Sequence, residues 1–149
     1  MLDNRRQSWY TACLGGVKMA DCPQRERLIQ YAKDRFGTEA EYLWADLPKT
    51  AVFRHPASKK WYGIIMDVAS GKLGLPGDAP VDVLNVKCGT IMIGSLLSER
   101  GFLPAYHMNK NHWISILLDG SVPDEQIFPL LELSYDSVAP RRGKRGGSR

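Results

Sequence analysis

Along the chain, apolar positions recur at helical spacing in two places and at strand spacing between them. Leu28, Ile29, Ala32 and Phe36 make one apolar face at i, i+1, i+4 and i+8, with Gly37 following at a C-cap position. The spacing predicts a helix over residues 24–36, entered through Asp21 and Pro23. Residues 51–55 and 61–68 read as two strands joined by the polar turn Pro56-Ala57-Ser58-Lys59-Lys60, a hairpin. Three glycines and two prolines in residues 71–80 mark a loop. Residues 81–88 then alternate. Val81 and Val83, extended by Asn85 or Lys87, share one face, and Leu84, Val86 and Cys88 share the other. A short helix is predicted over residues 91–100, ended by Gly101. Two more strands follow, 103–108 and 112–118, with Asn109-Lys110-Asn111 as the tight turn between them, because asparagine tolerates left-handed backbone. Ser121 or Asp119 can cap a last helix whose first turn holds Asp124 and Glu125. Its face is Ile127, Leu130, Leu131, Ser134, Tyr135 and Val138.

The order α-β-β-β-α-β-β-α, with hairpin connections, predicts an α+β fold of two layers. An antiparallel sheet of about five strands is expected, with helices packed on one face. The 149 residues suit one domain, placed at residues 23–140. Residues 1–22 read as an N-terminal extension. Trp9, Tyr10, Cys13, Leu14 and Val17 fall at rough helical spacing there, interrupted by Gly15-Gly16. Met1 and Met19 are both candidate starts. Residues 141–149 are Gly-rich and basic, and predict a disordered tail.

Composition changes this picture chiefly through the placement of charge. The net charge is +4 and the pI about 9.0. Five of the 20 bases lie after Pro140, where there is no acid, so residues 1–140 hold fifteen bases against 16 acids. The basic character belongs to the tail, which can meet phosphate backbones without sequence preference. No apolar run has the ~20 residues of a membrane span, and the first residues lack a signal-peptide core. A cytoplasmic protein is expected. The three cysteines, Cys13, Cys22 and Cys88, match no zinc spacing, so neither metal nor cofactor is expected.

Candidate chemistry concentrates in residues 105–113, which pack His107, Asn109, Lys110, Asn111 and His112 between Tyr106 and Trp113. Lys110 at a turn tip can reach a phosphate, and Asn109 can bond a phosphate oxygen or a base edge. The first hairpin is a second candidate. Residues 49–60 carry Lys49, Arg54, Lys59 and Lys60 with His55 and no acid, followed by Trp61 and Tyr62. Turn asparagines and charged tips also occur in any soluble sheet, without a ligand. Lys87 and Cys88 are the third candidate. A Cys88 thiolate paired with His107 or His112 would be catalytic chemistry, whereas a cysteine alternating with Leu84 and Val86 is expected in the core.

From about Leu28 to Val138 the chain resembles the MmcQ/YjbR family. The matching pieces are Lys60-Trp61-Tyr62, Leu84-Asn85-Val86-Lys87-Cys88, Tyr106-His107-Met108-Asn109-Lys110 with His112-Trp113, Leu118-Asp119-Gly120 with Pro123-Asp124-Glu125, and Ser134-Tyr135. The chain departs at Gly89-Thr90, where many members carry Asp-Pro. The resemblance implies an antiparallel sheet backed by helices, similar to type III secretion chaperones. It also implies DNA binding without catalysis, by likeness to winged DNA-binding proteins. The residues expected to meet DNA are Lys59, Lys60, Lys87, His107, Asn109, Lys110 and His112. The alternatives are a module that binds a small ligand or protein partner through the surface of residues 107–113, and a Cys/His enzyme.

Overall fold

The computed structural model describes residues 23–140. The extension at residues 1–22 and the basic tail at 141–149 lie outside the described residues. Helix α1 (Gln24–Phe36) leads to strands β1 (Ala51–Arg54), β2 (Trp61–Ala69) and β3 (Pro80–Lys87). A short 3-10 helix, Ser70–Leu73, lies within the loop between β2 and β3. Helix α2 (Thr90–Leu96), strands β4 (Phe102–Pro104) and β5 (Trp113–Leu117), and helix α3 (Asp124–Ser137) complete the order.

The sheet runs β1-β2-β3-β5-β4, and every neighbouring pair is antiparallel. All three helices pack on one face, as the apolar spacing predicted. Leu28 and Ala32 of α1, Ile93 and Leu96 of α2, and Ile127 and Leu131 of α3 close over Phe53, Ile65, Leu84, Val86, Ile114 and Ile116. Full burial of a Leu, Ile, Val or Phe side chain of this kind stabilises the fold by about 1.5–3 kcal/mol. Gly37 caps α1 in the left-handed conformation, at φ 70. The alternation in β3 also holds. Leu84 and Val86 belong to the main core, while Val83 joins a smaller cluster on the outer face with Val68 and Leu117. Among the described residues no helix is long and apolar enough to cross a membrane.

The pairing of β1 with β2 slips by one residue. Phe53 faces Gly63 and Arg54 faces Trp61, so Tyr62 is the extra residue of a β-bulge. Tyr62 and Gly63 therefore both turn toward the helices. The Tyr62 ring packs against Phe36, Phe53 and Tyr135, and its hydroxyl donates to Thr38 Oγ1 at 2.7 Å. Gly63 is the residue that leaves room for this. A Cβ there would lie 2.9 Å from Phe53 Cδ2 and 3.1 Å from Leu131 Cδ1. Gly63→Ala should therefore lose about 1–3 kcal/mol in a urea titration. A midpoint equal to the parent's would show that the Phe53 ring yields freely.

Three expectations are corrected. The strand predicted over residues 103–108 ends at Pro104, and the connection to β5 is the eight-residue loop 105–112 rather than a tight three-residue turn. The reason lies on the outer face of the sheet. The buried side chains of Asn85 and Ser115 hydrogen-bond each other there, and Asn85 Nδ2 donates to the Tyr106 carbonyl at 3.2 Å. The Tyr106 N–H donates to Ser115 Oγ at 2.9 Å. These bonds draw the chain across the sheet, and His107 at φ 60 then turns it away. The helix predicted over 91–100 stops at Leu96, so Gly101 belongs to the approach to β4 and caps no helix. Ser121 and Asp119 do not cap α3. Asp119 Oδ1 accepts from the Ser121 N–H and hydroxyl, and Pro123 occupies the cap position.

Candidate functional site

Antiparallel order gathers the C-terminal ends of β1, β3 and β4 and the N-terminal ends of β2 and β5 at one end of the sheet. The seven residues expected to meet DNA all lie there. Lys59 and Lys60 sit in the β1–β2 turn, Lys87 ends β3, and His107, Asn109, Lys110 and His112 belong to the β4–β5 loop. Adjacent strands are about 4.8 Å apart, so the row from the first turn to β5 spans roughly 10–15 Å.

The first turn is held from beneath by His55. Its ring is buried, stacked on Tyr135 at 4.4 Å, and its Nδ1 accepts from the Ala57 and Ser58 N–H groups at 3.0 and 3.3 Å. His55 is thus a structural residue of the turn. Lys59 takes a left-handed conformation, φ 66, and its N–H donates to the His55 carbonyl. Lys59 and Lys60 are both exposed. In the second loop Asn109 closes its own turn. Its Oδ1 accepts from the Asn111 N–H at 2.8 Å, and its carbonyl accepts from the N–H groups of His112 and Trp113. Lys110 is left exposed at the tip.

The charges are sorted along the strands. Arg25, Arg27, Lys33, Arg35 and Arg54 each pair with a carboxylate. Lys59, Lys60, Lys87 and Lys110 have no carboxylate partner among the described residues. The turn and strand ends on their side, residues 54–61, 87–89 and 104–113, contain no acid. Lys49, Lys72 and Arg100 also lack an ion pair among the described residues. They lie in connections at the opposite end, which also hold Asp78, Glu99 and Asp119. Apart from Glu41, which pairs with Arg54, the turns and strand ends on this side are therefore basic.

Cys88 and His112 also meet at this end, but on the helix side. The Cys88 N–H donates to the His112 carbonyl at 2.8 Å. Both residues line a cavity of about 440 Å³ with Met92, Leu130, Leu133 and Ser137. Among the described residues no hydrogen bond joins the thiol to the imidazole. Burial pushes the Cys88 thiol up, against which the Gly89 N–H acts weakly. That is the wrong direction for a nucleophilic thiolate. Cys88 packs against the main core, and His107 stands in the loop beside the Tyr106 ring at 4.1 Å. Among the described residues no three His, Cys, Asp or Glu side chains are gathered to hold a metal.

The site's aromatic neighbours were less visible in the sequence. Trp44 packs edge-on to Trp61 at 5.9 Å, directly beside Lys60. Trp61 could be noticed for its position after the lysine pair, but nothing in the aperiodic segment 38–50 pointed to Trp44.

The family model described as YjbR matches residues 34–137. The chain belongs to the YjbR family. An uncharacterized Bacillus subtilis protein, YyaQ, is 42% identical over 111 residues, covering 74% of this chain and 94% of its own. Uncharacterized protein YjbR of Escherichia coli K12 is 53% identical over 35 residues, 24% of this chain and 30% of its own. A crystal structure of a Pseudomonas syringae protein superposes with a TM-score of 0.75 at 40% identity, covering 77% of this chain and 98% of that one. The YjbR match spans β1 to the end of α3, and so includes the whole lysine-bearing end of the sheet.

Proposed function

We propose that this YjbR-family protein binds DNA without catalysis, through the basic end of its sheet. Lys59, Lys60, Lys87 and Lys110 supply the phosphate contacts, with His107, Asn109 and His112 in support. The observation that carries this reading is the gathering of four lysines without carboxylate partners, among the described residues, at an end free of acids in its turns. Each phosphate neutralised by a lysine releases condensed counterions, so log K falls by roughly 0.9 per contact for each unit of log salt. The cavity beside Cys88 supports a second reading, a small ligand with an apolar body held near His112.

The test is fluorescence anisotropy of labelled DNA with the full chain across a salt series. Replacing Lys59, Lys60 and Lys110 together by alanine should lower the salt slope by roughly 2.7 units and weaken binding on every sequence alike. Exposed lysines in turns contribute little to folding, so the variant should melt with the parent. An unchanged slope would remove these three lysines from the contact list and turn attention to the chain's other bases and to the cavity.

A further inference from the structure

We propose that the nucleic acid held at this end is an unpaired strand, its bases stacked on aromatic rings of the sheet's outer face. The inference rests on the DNA-binding reading and narrows its substrate. Pairing registers place the rings. Phe53, Val86 and Ile114 face the helices, so Arg54 with Trp61, and Lys87 with Trp113, face outward. Across the strand order, that edge reads Trp61 on β2, Lys87 on β3 and Trp113 on β5, with His107 beyond in the loop, while the Tyr106 ring packs on the outer-face cluster of Val68, Val83 and Leu117. Trp113 is buried and serves the sheet itself. Trp61 is half-buried. Trp44, packed on Trp61, is 36% exposed, and His107 is exposed. Lysines stand between and beside the rings: Lys59 and Lys60 before Trp61, Lys87 in the middle, and Lys110 beyond.

A duplex offers phosphates and groove edges to a protein and keeps its base faces stacked on one another. An unpaired strand offers a face of every base, which aromatic rings bind with little regard to sequence, while a basic groove follows the backbone. Lysines alone suit either form. Rings interleaved with lysines, on a surface that crosses β2, β3 and β5, suit the unpaired strand.

The experiment uses the full chain with a labelled oligothymidylate and a duplex of equal length at one salt concentration. The single strand should bind at least roughly tenfold more tightly and quench tryptophan fluorescence. Trp44→Ala and Trp61→Ala should each weaken single-strand binding by roughly 5- to 100-fold and leave the salt slope unchanged. Trp44→Phe and Trp61→Phe keep a ring at each site and should restore most of the affinity, which separates lost stacking from lost folding. Duplex binding as tight as single-strand binding, or full affinity in the alanine variants, would overturn stacking. If the lysine variant still lowers the slope in that case, the basic surface survives as a duplex site. Binding to neither probe would overturn the DNA reading itself.

Discussion

Gly101→Ala should lose about 4 kcal/mol of folding stability, a large share of what a domain of this size possesses. Gly101 sits at φ 91 where the chain turns into β4, a conformation that costs an L-residue about 1–3 kcal/mol. Its carbonyl accepts the Leu117 N–H at 2.8 Å, which ties the turn to β5 and leaves the backbone little freedom to relax. A Cβ at this position would lie 2.4 Å from Val122 Cγ2 and 3.2 Å from Ser121 Cβ. Val122 is itself in the main core, so it cannot step aside without opening a void, and overpacking adds about 1–3 kcal/mol. Gly77 separates the two contributions. It has φ 82, and a Cβ there would meet nothing within 4 Å, so Gly77→Ala should show only the backbone cost. Urea titrations of both variants beside the parent test this. Equal losses at the two glycines would show that Val122 yields.

Where local spacing and tertiary packing agree, the elements could be read from the residues. Helix α1 follows from Leu28, Ala32 and the Gly37 cap, and α3 from Ile127 and Leu131. The two-face alternation of β3 separates Leu84 and Val86 from Val83, as period two requires. The reading failed where a side chain distant in sequence captured the backbone. Residues 103–108 have strand composition, yet Ser115 and Asn85 take the hydrogen bonds of Tyr106 that strand pairing would have used. Those partners are 9 and 21 residues away, beyond the reach of any local pattern. The bulge at Tyr62 escaped notice for a similar reason, since Gly63 has meaning only against Phe53 and Leu131. The lysines of the candidate site were easy to find, because turns must be polar and lysine stands out in them. Their convergence on one end followed only from the antiparallel strand order. The ion pairs that neutralise the remaining bases, such as Arg25 with Asp82, join residues far apart in the chain, so the polarity of the sheet became visible only in three dimensions.

Ser134→Ala should cost about 2–4 kcal/mol, although it removes a single oxygen atom. Ser134 lies on the buried face of α3 and is wholly inaccessible. Its hydroxyl donates to the Tyr62 carbonyl at 2.6 Å and accepts the Lys87 N–H at 2.9 Å. Tyr62 is the bulged residue of β2 and Lys87 is the last of β3, so the serine stands where the ladder between these strands runs out. Alanine leaves one buried acceptor and one buried donor without partners, and each orphan costs about 1–3 kcal/mol. The change also frees the end of β3, the strand end that presents Lys87. If Lys87 contributes a phosphate contact, the variant should therefore weaken DNA binding at temperatures where it remains folded. Ser137 is the control. Its hydroxyl caps the Ser134 carbonyl at 2.8 Å from an exposed position, so Ser137→Ala should stay within about 0.5 kcal/mol of the parent. Matched denaturant titrations of the two variants decide the matter. A Ser134→Ala protein as stable as Ser137→Ala would mean that β2 and β3 close the gap by pairing directly, and that the α3 hydroxyl is not what holds the basic end of the sheet together.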